Sequence, residues 1–537
     1  MKSIYNFLMP SKCDKATPSC SQCVRAHRTC PGYRNQLDLM FRIQNDDIIE
    51  KSKAKAREKA AKAKAKERAA PVQLMVADGE IEETALEDAV ILFSRRHLEF
   101  PGPWVLDIPA YTLTPTIEQR ARGWFQTHQD QWLRNTDILE SLTSQTKGDE
   151  QLLASMYAVG LASFSNHIHS AELTARARKG YVTALRLTNA ALRSPTDAKK
   201  DSTLFAIMIL GIYETVAGTN AQSVLAWTSH VNGAAALIEY RGVEQFNSEA
   251  GQRLFYQVIS NLMISCIQRT IAMPQRIIDL RNAASHIAIT PRPIWHVSDM
   301  IINFTSFRAD VRECRLTHPR EIIEKALQLD QRFADTFANP PEDWTYEVIF
   351  TDEDPHLVWN RAYHIFKHSW VAPVWNGMRT CRIMLHETIR DQLLSSASAI
   401  SPVFTPAEAD AQETSSVSIC IEMGRDVMRS VPKPRSSINL NEPKAMLAGT
   451  HHAYILWPLY LVGGMDVASE RVKDWVINRL KIMSEEEGIK QAGVVAGYLE
   501  QSTDFFSRRP DLAPWMGPLS RQWEGDNRVT DLYDADD

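Results

Sequence analysis

Catalytic punctuation is missing from this 537-residue chain. It contains no G-x-S-x-G elbow, no glycine-rich phosphate loop and no H-E-x-x-H pair, so no nucleophile, nucleotide or metallopeptidase chemistry is proposed by motif. Only catalytic groups converging from distant positions would escape such a reading. The apolar start at residues 7–9 is too short for the core of a secretory leader. The uncharged stretch 445–465 is long enough to span a bilayer, but it holds Thr450, His451, His452, Pro458, Gly463 and Gly464. Those residues suit a buried helix and its turn better than a membrane span. Cys266, Cys314, Cys381 and Cys420 are scattered without pairing or metal spacing, which reads as free thiols in a reducing compartment. His167, His169, His451 and His452 have no neighbouring acid or thiol to complete a metal site, and they read as polar residues at helix margins.

The net charge of −5 conceals an asymmetry. Residues 1–70 carry 16 Lys/Arg against 7 Asp/Glu, which leaves 44 against 58 for the remainder. A basic head on an acidic body suits a polyanion-binding head, because neutralising phosphates releases counterions. Much of that charge lies in the Ala/Lys run 51–70. The run favours helix but offers nothing larger than alanine to bury, so it is expected to be a solvated helix or linker. It lacks the Leu or Ile heptad of a dimerising coiled coil. Residues 526–537 mix acid with Leu532 and Tyr533, a composition shared by unstructured termini and acidic activation tails.

Ahead of the linker, Cys13, Cys20, Cys23 and Cys30 fall in the spacing C-x6-C-x2-C-x6-C. Thiols this close, without a secretory leader, point to a soft metal, most plausibly zinc in a tetrahedral sulfur site. With Lys12-Cys13-Asp14 before it and Cys30-Pro31-Gly32-Tyr33 closing it, the run resembles the second part of the fungal zinc binuclear cluster, the DNA-binding module of a large family of transcription regulators. In that family six cysteines hold two zinc ions. Here residues 1–11 contain no cysteine and only Lys2 as a charge, so the first CxxC half is not in this polypeptide. Two origins stay open: a first exon encoding it elsewhere, and real loss. The resemblance implies that Cys20, Cys23 and Cys30 share one ion while Cys13 serves the other; a single four-thiol site, or one with His27 substituting, is also conceivable. It further implies a short helix in the major groove reading a CGG-type triplet. Lys12 is the position that matches the family's basic stretch. Arg25, Arg28 and Arg34 suit phosphate contacts on general grounds.

From about residue 82 the apolar pattern is helical almost throughout. Residues 204–213, LFAIMILGIY, are apolar on every side and predict a central buried helix. In 222–241, Trp227, Val231, Ala234 and Ile238 define one apolar face, Gly233 and the adjoining alanines admit a close neighbour, and Gly242 is placed to end the helix in a left-handed cap. His230 reads as a hydrogen-bonded core histidine, with an effector pocket as the alternative, and Arg241 as a cation complementing the helix dipole. The run from Trp227 through His230, Gly233, Leu237 and Arg241 to Gly242 resembles the W-x2-H-x2-G-A-x2-L-L-x2-R-G signature of the fungal-specific transcription factor domain. Residues 456–464, LWPLYLVGG, followed by Arg471 and Trp475, resemble its W-P-L-F landmark.

The expected architecture is all-α: a small, incomplete zinc-cysteine module at 1–35, a basic linker at 36–80, a large helical regulatory domain at 81–515 and an acidic tail at 516–537. Residues 85–510 are expected to hold negligible sheet, with the 204–213 and Trp227 helices central and 445–465 beside them. The expected function is nuclear, zinc-dependent transcription regulation of a metabolic gene set, a secondary-metabolite cluster being the special case the resemblance suggests. The implied partners are CGG-containing DNA, a homodimer mate and a coactivator, with no membrane and no catalysis. A co-regulator acting through protein contacts without autonomous DNA binding is the alternative.

Overall fold

A computed structural model describes residues 115–128, 149–285, 292–352, 354–368, 370–431 and 452–501. The expected linker at 36–80 and tail at 516–537 lie outside them. The helices run in the order α1 (Ile117–His128), α2 (Glu150–His167), α3 (Ala171–Arg193), the single turn α4 (Pro195–Ala198), α5 (Asp201–Ala217), α6 (Ala221–Arg241), α7 (Glu249–Arg269), α8 (Gln275–Ala284), α9 (Arg292–Arg312) and α10 (Pro319–Ala338). A hairpin of β1 (Tyr346–Phe350) and β2 (Ala362–Phe366) precedes α11 (Val371–Ala397), α12 (Pro406–Arg429), α13 (Leu456–Gly464), α14 (Glu470–Glu485) and α15 (Lys490–Glu500). The described residues are therefore predominantly α-helical, as the apolar periodicity implies.

Short polar residues set the helix starts. Ser170, Asn220, Ser248 and Ser469 each accept a hydrogen bond from a first-turn backbone N–H of α3, α6, α7 and α14. Thr405 and Glu408 form a reciprocal capping box on α12. Gly242 does end α6, but its cap differs from the expected left-handed one. Its φ of 62° is paired with ψ of −154°, a region open essentially to glycine alone. The chain turns there directly into a 3₁₀ segment, Gly242–Asn247.

Helix α5 is the axis of the N-terminal half. Leu204 to Leu210 are all buried, and α2, α3, α6, α7 and α15 pack around the helix. On α6, Val231, Ala234 and Ile238 are buried, while Trp227 is half-buried over the core. Helices α1 and α2 cross with almost no gap: a Cβ built on Gly160 would lie 2.0 Å from the Ala121 carbonyl oxygen. Asn166 knits three segments together by donating to the carbonyls of Val216 (2.9 Å) and Gly488 (2.8 Å).

The C-terminal half is organised on α11. Arg382 makes a two-pronged ion pair with Asp330 of α10, at 2.6 and 3.0 Å, and His386 places Nε2 3.2 Å from the same carboxylate. The other ring nitrogen of His386 lies 3.1 Å from Ser416 Oγ on α12. The buried carboxylate thus ties α10 to α11, and His386 extends the tie to α12. Residues 454–465 are mostly buried, as expected for this segment, but their neighbours differ. Helix α13 packs chiefly on α11, α12, α14 and α15, and Tyr460 reaches Val224 and Leu225 at the start of α6. Residues 445–451 lie outside the described residues. Among the described residues no helix is long and apolar enough to cross a membrane.

Candidate functional site

Three helices meet at a buried polar cluster built around the first landmark. Tyr181 projects from α3, Tyr213 and Glu214 from α5, and His230 from α6. The Tyr181 and Tyr213 rings stack with centroids 4.1 Å apart and planes 9° from parallel. The Tyr181 hydroxyl donates to Glu214 Oε1 and lies 3.0 Å from His230 Nε2. When Glu214 is ionised the hydroxyl proton is directed at its carboxylate and the imidazole offers Nε2–H to the phenolic oxygen, a relay from His230 through Tyr181 to Glu214; protonation of Glu214 allows the reverse order. Helix α6 passes Gly211 of α5 at a distance that leaves room for a methyl group and no more. A Cβ there would already touch His230 Cβ at 3.5 Å and Trp227 Cδ1 at 3.7 Å.

Burial dominates the electrostatics of this cluster. It pushes the Glu214 carboxyl up to about 7, against the opposing hydrogen bond from Tyr181, and it lowers His230 to about 4. Desolvation, together with the neighbouring Glu214 charge, raises Tyr213 to about 12 and Tyr181 well above the usual phenol range. At neutral pH the histidine is therefore uncharged and the carboxyl sits near half-protonation. The cluster joins helices. Arg241 serves the same end: buried at 5% exposure, it pairs with Asp201 in the first turn of α5, and Ser248 Oγ donates to the second oxygen of that carboxylate at 3.4 Å. The dipole role expected for Arg241 is thus joined to an inter-helix ion pair.

The second landmark anchors the hairpin. Arg471 stacks on Trp359 at 5.1 Å and donates to Asn360 Oδ1 at 2.9 Å. Trp475 meets Trp359 edge-on at 5.7 Å and donates Nε1–H to the Pro355 carbonyl at 2.9 Å. Gly463 of α13 admits the close approach of α14 and α15. A Cβ on Gly463 would lie 2.8 Å from Leu499 and 3.0 Å from Val476.

The thiols Cys13, Cys20, Cys23 and Cys30, with Lys12, lie outside the described residues. Of the scattered cysteines, Cys266, Cys381 and Cys420 are buried and Cys314 is exposed, all free. His167 lies against Trp124 with ring centroids 5.2 Å apart, and His169 sits at a positive φ of 55° just past α2. Among the described residues no His, Cys, Asp or Glu group has the arrangement of a metal site. Sequence reasoning identified His230 but missed Tyr181 and Glu214. The available signal was the lone carboxylate that follows ten uncharged residues at 204–213.

The sequence model of the fungal specific transcription factor domain matches residues 124–265. No curated protein and no solved structure matches the chain. The matched stretch runs from α1 into α7 and contains Tyr181, Glu214, His230 and Arg241. It points to a non-enzymatic regulator. Over residues 124–265 the chain therefore carries a fungal specific transcription factor domain.

Proposed function

We propose that the chain is a fungal transcription regulator acting in the nucleus. Its thiols Cys13, Cys20, Cys23 and Cys30 hold zinc, its basic N-terminal residues contact DNA with Lys12 nearest the bases, and its helical body is the regulatory domain. The observation that carries this reading is the domain match at 124–265 downstream of a closely spaced thiol run. Four thiolates are a chemically suitable tetrahedral donor set for one zinc ion, and the ion would stabilise a segment too small to bury a core. The target is a CGG-type site upstream of a metabolic gene set, with a second copy of the chain and a coactivator as partners.

A co-regulator that works through its helical body is the second reading, favoured by one observation: four thiols stand where the complete cluster has six. Each missing thiolate removes a bond that shapes the DNA-reading helix. Metal analysis of the purified chain and titration against CGG-containing and scrambled duplexes separate the two. The DNA-binding reading expects one zinc per chain and tighter binding to the CGG duplex. A chain that holds no zinc, or binds both duplexes equally, belongs to the second reading.

A further inference from the structure

Helix α3 carries an unbalanced positive face on an otherwise acidic body. Lys179, Arg186 and Arg193 are all exposed. Their spacing of seven residues keeps them on one stripe of the helix, about 10.5 Å apart along its axis. Only the short Thr183 and Ala190, both exposed, stand between them on that stripe. The carboxylates around the helix are engaged elsewhere: Glu172 pairs with Arg176, Asp197 with Lys200 and Glu244 with Lys199. Among the described residues no carboxylate pairs with Lys179, Arg186 or Arg193. Beside the row, between Lys179 and Arg186, lies Val182 at 49% exposure.

The acidic tail carries a matching period. Asp531, Asp534 and Asp537 recur at every third residue. A polyproline-II segment turns once in three residues and rises about 3.1 Å per residue, so in that form the three carboxylates share one edge about 9.3 Å apart. The mismatch with the cation row, about 1 Å per step, is within the freedom of the flexible Lys and Arg stems. A β-strand would instead send Asp531 and Asp534 to opposite sides. Direction is set by the residues in between. Pairing Asp531 with Lys179, Asp534 with Arg186 and Asp537 with Arg193 brings Leu532 to Val182, whereas the reversed order brings Ala535 and Asp536 there.

We propose that the outer face of α3 is the docking surface for residues 531–537 of the same chain. The connection is long enough: residues 502–530 can span about 90 Å, and α15, which precedes them, packs on α5 as α3 does. Each exposed ion pair contributes less than about 1 kcal/mol, so docking relies on the tether, which holds the tail at an effective concentration of about millimolar. A DNA duplex fits this face less well. It would extend beyond the stripe over a body with 44 cations against 58 anions, and its phosphates have no use for Val182. The contact does not depend on what the N-terminal thiols do.

Carbodiimide coupling of the full-length protein, read by peptide mass spectrometry, tests the proposal, because Lys179 is the one row member whose amine can form an amide with a carboxylate. Wild-type protein should yield a cross-link from Lys179 to Asp531. Arg186→Gln combined with Arg193→Gln leaves Lys179 in place and should cut that yield about fivefold, as the loss of two exposed ion pairs predicts. Salt at about 1 M, where the screening length falls to about 3 Å, should suppress it similarly in the wild type. Absence of any cross-link between Lys179 and residues 531–537 would overturn the proposal. A yield unchanged in the double variant would do the same, since chance encounters of a tethered tail need no row of cations. Should the double variant fail to fold, the salt series decides, and an undiminished yield overturns the docking. Cross-links found only between 15N-labelled and unlabelled copies would overturn the assignment to the same chain. Weaker binding of the double variant to a scrambled duplex, with no Lys179 cross-link in the wild type, would make the face a phosphate contact and overturn the proposal.

Discussion

Two glycines on neighbouring helices show how differently the same substitution acts. At Gly160 a methyl group would fall 2.0 Å from the backbone oxygen of Ala121, an overlap that only separation of α1 from α2 can relieve. Gly160→Ala should cost about 3 kcal/mol in urea unfolding. At Gly211 the nearest atoms are side-chain carbons at 3.5 and 3.7 Å, so Gly211→Ala should be neutral or stabilise by up to about 1 kcal/mol through helix propensity. The buried relay makes a second residue-scale prediction, in pH. Glu214 is raised from 4.5 to about 7, so the folded state holds the extra proton and stability falls as pH rises through that window. His230 is lowered from 6.5 to about 4, so the unfolded state takes the proton and stability rises with pH across its own window. The slopes oppose each other between about pH 4.5 and 6.5 and nearly cancel in the wild type. Glu214→Gln should therefore unmask a rise in stability with pH, and His230→Gln a fall, each about 1–2 kcal/mol over the shared window. Chemical denaturation at half-unit pH steps measures both, and parallel profiles for the two variants would contradict the assignment.

At the scale of elements, helices were legible and their polar ties were not. The unbroken apolar run at 204–213 announces α5 as buried because a helix with no polar face must be surrounded, and the four-three-four step from Trp227 to Ile238 announces the buried face of α6. Gly242 marks the end of α6 in the sequence, but its ψ was not readable, because glycine enters several regions closed to other residues. The hairpin was not anticipated. Its strands Tyr346–Phe350 and Ala362–Phe366 are five residues each, and a pair that short is marginal alone and exists through what packs on it. Here Tyr346 packs on Trp375 and Arg379 of α11 and β2 packs on α12, while Arg471 and Trp475 hold the connecting loop at Pro355, Trp359 and Asn360, more than a hundred positions earlier in the chain, a relation no local pattern carries. Removing the tie should therefore act locally. Trp475→Phe deletes the donor to Pro355 at a cost of about 1 kcal/mol. Amide hydrogen exchange should accelerate across the connecting loop, residues 354–361, and stay unchanged in α5; equal acceleration in both would show that the landmark serves the whole core instead.

The whole molecule divides its charge unevenly, and the proposed function gives that division a consequence. Residues 1–70 hold 16 cations against 7 anions while the remainder is acidic, at 44 against 58. On the proposed function, with four zinc-binding thiols in place of six, sequence-reading contacts would be few and most of the DNA affinity would come from phosphate neutralisation by the head. That term has a signature of its own. The logarithm of the binding constant falls with the logarithm of salt concentration by roughly 0.9 per phosphate neutralised, whereas base contacts change the preference between sequences and leave the slope largely untouched. Replacing Lys51, Lys53, Lys55, Lys59, Lys62, Lys64 and Lys66 by glutamine in the full-length protein should weaken binding to CGG-containing and scrambled duplexes equally and flatten the salt slope by several units. Lys12→Gln should reduce the preference for the CGG duplex and change the slope by no more than about one unit. Fluorescence anisotropy at four salt concentrations distinguishes the two effects. If the glutamine variant keeps the wild-type slope, the lysines of the 51–70 run take no part in DNA contact.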